Sequence, residues 1–89
     1  SATNQVQGPQ GLTLDRSGNL YVSDTGNGRV LRFDNGVPGT GVVIANTGTA
    51  GGQVMSPRGL AIDETFRLFV ADEGNSKIMR IPNANTVTA

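Results

Sequence analysis

Apolar residues in this chain recur in short runs with a period of two. In residues 11–15, Leu12 and Leu14 alternate with Gly11, Thr13 and Asp15, and in residues 19–24 Leu20 and Val22 alternate with Tyr21 and Ser23. That period puts successive side chains on opposite faces of a β-strand, and the β-branched and aromatic content agrees. Residues 29–33 and 41–45 complete a set of four. A second set follows at 59–63, 67–72 and 77–81. Gly- and Asn-rich segments separate the runs: 16–19, 25–28 and 34–36, with Pro38-Gly39 and 46–48 around the fourth. Such residues supply the positive φ that tight hairpins require. No window carries a helical period. The pattern predicts an antiparallel all-β protein.

The two sets are copies of each other. Residues 9–34 and 57–82 superpose without a gap at an offset of 48. Pro9/Pro57, Gly11/Gly59, Leu12/Leu60, Asp15/Asp63, Leu20/Leu68, Val22/Val70, Asp24/Asp72, Gly26/Gly74, Asn27/Asn75 and Arg32/Arg80 are identical. Arg29/Lys77 and Val30/Ile78 are conservative pairs, and Ala2 and Gln5-Val6 fall on Ala50 and Gln53-Val54. The predicted units are 1–48 and 49–89, the second stopping before or within its outer strand. Repeats of this length build four-stranded propeller blades, and the period-two pattern rejects helical repeats.

A lone sheet with one wet face should alternate apolar with clearly polar residues. Here the off-face positions are often small: Gly11, Thr13, Ser23, Gly59, Ala61 and Ala71. Small residues on one face and large aliphatics on the other suit sheets stacked near a crowded axis. The first strand of each unit is read as innermost. One half of a plain β-sandwich is the competing reading.

Composition removes whole classes of function. The 89 residues include no Cys and no His, which excludes disulfides, thiolate chemistry, Cys- or His-ligated metals and an imidazole base. Seven basic and seven acidic residues cancel, which argues against a dedicated nucleic-acid or anionic-membrane binder. No apolar run approaches the ~20 residues that span a bilayer. The chain begins at Ser1 without Met, and reads as processed or as a segment of something longer. Its Gly, Thr, Asn and Ser richness suits an extracellular or secreted protein.

The string P-x-G-L-x-[LI]-D, then L-[YF]-V-x-D, then G-N-x-[RK]-[VI]-x-R, present twice, resembles the NHL repeat. The resemblance implies a β-propeller, usually six-bladed, with each repeat spanning roughly one blade. Relatives of that kind are mostly binding scaffolds for RNA, small ligands or adhesion partners; some are lyases or lactonase-like hydrolases. The sequence departs from the pattern at Phe66, where the first copy has Gly18. A different turn type is expected there.

Asp24 and Asp72 end the second strands, and Asp15 and Asp63 close the first. Each could be a metal or catalytic carboxylate, but recurrence at the same turn in both copies favours turn capping. DRSGN lacks the carboxylate ladder of a calcium loop. Arg29, Lys77, Arg32 and Arg80 are expected to pair with nearby Asp or to cover an outer strand with their stems. Tyr21, Phe33, Phe66 and Phe69 read as core or blade-contact residues. Gly26-Asn27-Gly28 and Gly51-Gly52 precede no helix and make no phosphate cradle, and there is no G-x-S-x-G elbow.

Propellers close with about four to eight blades, and stacked repeats need about three for stability. Two blades leave apolar faces bare, which soluble monomers avoid. The expected fold is therefore two four-stranded blades, the second incomplete, within a six-bladed propeller. Completion would come from copies of the chain, as a homotrimeric ring or a filament, or from further blades of a longer chain. The outer strand of the second blade could be short or borrowed from another chain. The expected function is a non-catalytic scaffold that binds a protein or glycan through rim loops, with no cofactor and no metal. By family analogy the rim comprises Gln10, Arg58, Thr25, Asn27, Glu73, Asn75 and Ser76. A metal-dependent lactonase-like enzyme and a purely structural self-assembling unit are the alternatives.

Overall fold

The computed structural model describes residues 8–37, 41–48 and 53–89. The readings that rest on Ala2, Gln5-Val6, Pro38-Gly39, Ala50 and Gly51-Gly52 lie outside these residues. The first sheet holds β1 (Gly11–Leu14), β2 (Leu20–Asp24), β3 (Arg29–Phe33) and β4 (Gly41–Ala45), in the order β1-β2-β3-β4. The second holds β5 (Pro57–Ile62), β6 (Leu68–Asp72) and β7 (Lys77–Ile81), in the order β5-β6-β7. All pairings within the sheets are antiparallel. Every predicted strand is present, and the second sheet has three strands among the described residues. Short 3-10 turns, Thr25–Asn27 and Asp34–Gly36, occupy two of the Gly/Asn connections.

Register assigns the faces. Thr13, Tyr21, Arg32 and Val42 stand opposite one another across the first sheet, so they share a face with Gly11, Ser23 and Val30. That face packs on the Leu60, Ile62, Leu68, Val70, Met79 and Ile81 side of the second sheet. Tyr21, Val30, Leu68 and Val70 are fully buried there, with Val54 from the connection between the sheets. Each such burial contributes about 1.5–3 kcal/mol, and the central cluster draws on both sheets. Val22, Leu31 and Phe33 form a second buried cluster on the opposite face of the first sheet.

The small residues at the junction have a steric cause. A Cβ on Gly11 would lie 2.1 Å from the Arg58 carbonyl oxygen. Backbone of β5 therefore approaches β1 as closely as only glycine permits. Ser23 Oγ donates to the same Arg58 carbonyl at 2.6 Å. Further out, Arg32 is buried and its Nη1 donates to the carbonyls of Ala84 at 2.7 Å and Val87 at 2.6 Å. These bonds clamp the segment after β7 against the first sheet. Its last residue, Ala89, donates its N–H to Val43 O at 2.9 Å.

The turn at Phe66 does not change type. Gly18 and Phe66 both have positive φ, 90° and 63°. Both N–H groups bond to the Asp carbonyl three residues back, at 3.1 and 3.2 Å. The aspartate side chains overrule the local preference. Asp15 Oδ1 accepts from Ser17 N and Asn19 N, and Asp63 Oδ1 accepts from Thr65 N and Arg67 N. The same network thus holds a phenylalanine in the left-handed region, where a side chain costs ~1–2 kcal/mol. Arg16 of the first copy covers the Phe66 ring, 5.4 Å from its centre.

Candidate interaction rim

The β2–β3 and β6–β7 turns, the approach to β1 and the start of β5 carry the seven predicted rim residues. Ser23 links two of them directly: its carbonyl accepts Gln10 N at 3.2 Å, and its hydroxyl donates to Arg58 O. Thr25 Oγ1 donates to Pro57 O, which ties the first turn to the start of β5. Glu73 N donates to Ser56 O at 3.2 Å.

Several predicted residues are spent on architecture. Asn27 Nδ2 donates to Asp24 Oδ2 at 2.9 Å, and its carbonyl receives the Thr47 hydroxyl at 3.0 Å. Asn75 Nδ2 donates to Asp72 Oδ2 and to Gly48 O, each at 2.9 Å. The outward groups are those of Gln10, Glu73 and Ser76, which are exposed, and of Arg58, which is half-buried. Arg58 Nε is the notable atom. It is buried, lies 3.2 Å from Glu73 Oε1, and makes no hydrogen bond.

The aspartates work within the fold, although not all in one way. Asp72 accepts the backbone N–H groups of Met55 and Ser56, at 3.1 and 2.9 Å. It thereby anchors the preceding connection as well as its own turn. Asp24 accepts the side chains of Asn27 and Arg29, the latter at 2.7 Å. Burial would raise the Asp15 carboxyl, but bonds from Asn19 Nδ2, Asn19 N, Tyr21 Oη and Ser17 N outweigh it and hold it below its ordinary value. Burial, followed by the bond to Asp15, pushes the Tyr21 phenol up. The Arg67 N–H, joined by Thr65 and the Arg67 guanidinium, lowers Asp63 to about 2 against the opposing effect of burial. Among the described residues no three acidic side chains cluster as a metal site would require.

The basic residues divide between the copies. Arg29 pairs with Asp24, and Arg32 Nε bonds Asp34 at 2.8 Å, as expected. Lys77 and Arg80 have no ion pair or hydrogen bond among the described residues, which leaves the other expected role, covering an outer strand with their stems. Lys77 borders a hollow of about 370 Å3 with Ala71, Asp72, Glu73, Ser76 and Ile78. Asp72, at the repeat position of Arg29's partner Asp24, is engaged by the linker's N–H groups instead.

Two stacked antiparallel sheets, each an uninterrupted meander with its inner strands in closest approach, define a blade-type β protein. The family model described as NHL repeat matches residues 6–33. No curated protein sequence matches the chain. No helix among the described residues is long and apolar enough to cross a membrane.

Proposed function

We propose that the chain is a non-catalytic interaction module, a pair of propeller blades whose rim receives a protein or glycan partner. The observation that carries this reading is the Arg58–Glu73 pair on the rim. Arg58 Nε is shielded and lies 3.2 Å from Glu73 Oε1 without hydrogen-bond geometry, so the pair is imperfectly satisfied. The Arg58 side chain is 42% exposed, and its outer guanidinium nitrogens would take a carboxylate or carbonyl of a partner. The commitment of Asp15, Asp24, Asp63 and Asp72 to turn and linker donors favours this reading over a lactonase-like enzyme, which would need carboxylates facing a substrate. The module also needs neighbours for its blade faces, from copies of itself or from a longer chain. Extracellular placement remains part of the proposal and rests on composition.

The test is an array of immobilised peptides and glycans probed with the whole chain, the Arg58→Ala variant and the Glu73→Ala variant. Binding should fall at least tenfold for Arg58→Ala while the melting temperature stays within a few degrees. Calcium-dependent turnover of a lactone or ester would overturn the reading. So would array binding that is indifferent to Arg58.

A further inference from the structure

The linker between the two repeats brings onto the rim a residue that the sequence pattern did not place there. Met55 precedes β5 and is 41% exposed. A lone exposed methionine is ordinary, but this one has a built seat. Its N–H donates to the buried Asp72 carboxylate at 3.1 Å, and that of Ser56 donates to the same group at 2.9 Å. Both flanking turns make room for it. A Cβ on Gly74 would lie 2.5 Å from Met55 Cβ and 2.9 Å from Ser56 N, and a Cβ on Gly28 would lie 3.1 Å from Met55 O. Met55 is wedged between the β2–β3 and β6–β7 turns, its backbone fixed and its side chain left partly to solvent.

Arg58, three residues on, meets the same turn. Its Nε lies 3.2 Å from Glu73 Oε1, and Glu73 N donates to Ser56 O at 3.2 Å. Met55 packs on Gly74 and Arg58 faces Glu73. An apolar point and a cationic point therefore flank one peptide unit, whose Cα atoms are ~3.8 Å apart. The repeat demands neither residue. At the offset of 48 the first copy has Gln7 and Gln10 in their places, and Thr25 in place of Glu73. Methionine and arginine are enriched where proteins bind proteins, the one for its adaptable shape and the other for its bidentate grip on carboxylates. The patch sits at the junction inside the chain, apart from the outer faces of the two sheets.

We propose that Met55 and Arg58 form a two-point subsite for a peptide segment of a partner protein, one that carries a carboxylate within two residues of a bulky aliphatic or aromatic side chain. The carboxylate takes the outer guanidinium nitrogens of Arg58, and the apolar side chain covers Met55. An extended peptide places side chains two residues apart on one side, ~7 Å from each other, within reach of two points that flank a single peptide unit. Glu73 is the internal competitor. Its side chain is 70% exposed and its pair with Arg58 lacks hydrogen-bond geometry, so a ligand carboxylate displaces it at little cost. The inference rests on the rim reading and narrows its partner to this class of peptide.

The whole chain is probed on an array of short immobilised peptides that pair Asp, Glu, Asn, Ser or Lys with Leu, Phe, Ala or Ser at spacings of one to three residues, beside the glycan array. The variants Met55→Gln, Arg58→Gln and Glu73→Thr each copy the residue of the first repeat. Circular dichroism checks that they keep the wild-type spectrum, and Met55→Ser or Arg58→Ala replaces a variant that does not. The wild type should retain peptides with Asp or Glu near Leu or Phe above all others. Arg58→Gln should weaken that binding about tenfold and abolish the preference for Asp over Asn. Met55→Gln should weaken it about fivefold and abolish the preference for Leu over Ser, with the acid preference kept; Met55→Leu should restore it. Glu73→Thr should tighten it. Peptide binding without the apolar preference, or with one that survives Met55→Gln, overturns the inference and leaves the rim reading standing. So does Arg58-dependent binding of glycans alone. Weaker binding by Glu73→Thr also overturns it, since the ligand would then need that carboxylate. Binding of no peptide and no glycan overturns both readings.

Discussion

Replacing Arg32 by Met tests how the second sheet and the C-terminal segment are held to the first. The guanidinium is buried and donates to Ala84 O at 2.7 Å, Val87 O at 2.6 Å and Asp34 Oδ1 at 2.8 Å. Asp34 is 45% exposed, so that pair adds little once solvent screening is counted. The two carbonyl bonds decide the outcome. Hydrogen bonds from a charged donor are worth about 1.5–3 kcal/mol each, and the carbonyls left behind lose their partner. Methionine restores part of the stem's apolar contact. The net expectation is a loss of ~3 kcal/mol, or about a hundredfold in the folding constant. In a domain whose total stability is of order 5–15 kcal/mol, that is a large share. Urea titration followed by circular dichroism gives the global loss. Amide exchange of Ala84 and Ala89, whose N–H groups bond Phe66 O and Val43 O, shows whether the segment detaches first. Arg80→Met, at the same repeat position, should stay within ~0.5 kcal/mol when the chain is diluted enough to separate copies. If Arg32→Met also changes stability by less than ~0.5 kcal/mol, with Ala89 exchange unaltered, the clamp has no energetic role.

Three further outcomes follow from the turns and the junction. Phe66→Ala should be less stable than Phe66→Gly by ~1 kcal/mol, because both lose the ring but only glycine relaxes the 63° φ; equal midpoints in thermal melts would refute the shared-turn account. Gly11→Ala should separate β1 from β5 and lower the melting temperature by many degrees, since its Cβ would lie 2.1 Å from Arg58 O; a wild-type melt would show that the approach is not tight. Asp63, at about 2 folded and near ~3.9 unfolded, contributes stability that is fully present above pH ~4 and is lost as pH falls towards 2. Asp15, also lowered, acts in the same direction. The Asp15→Asn, Asp63→Asn double variant should therefore show a flatter stability curve in acid, and an unchanged acid slope in urea midpoints would contradict it.

The strands were legible because period-two alternation and Gly/Asn punctuation are local signals. The repeat was legible because its positions align without a gap. The capping role of Asp15 and Asp63 followed from their recurrence at equivalent turns. Phe66 was misread for the opposite reason: its own preference opposes positive φ, but four hydrogen bonds to Asp63 outweigh it. For Lys77 and Arg80 the sequence left pairing and stem-covering both open, because equivalence at a repeat position does not carry identity of surroundings. Asp72 is engaged by Met55 and Ser56 from the linker, and no described residue bonds Arg80 as the segment after β7 bonds Arg32.

The amino-acid sequence alone determined an all-β chain, two copies of one blade pattern, small residues on a single face and the absence of Cys and His chemistry. These are properties of neighbouring residues, of spacing and of composition. Tertiary structure decided which equivalent positions are filled and which stand open. Burial depends on what arrives from far along the chain, so Tyr21 and Phe69, or Gly11 and Gly59, share a pattern but not a neighbour.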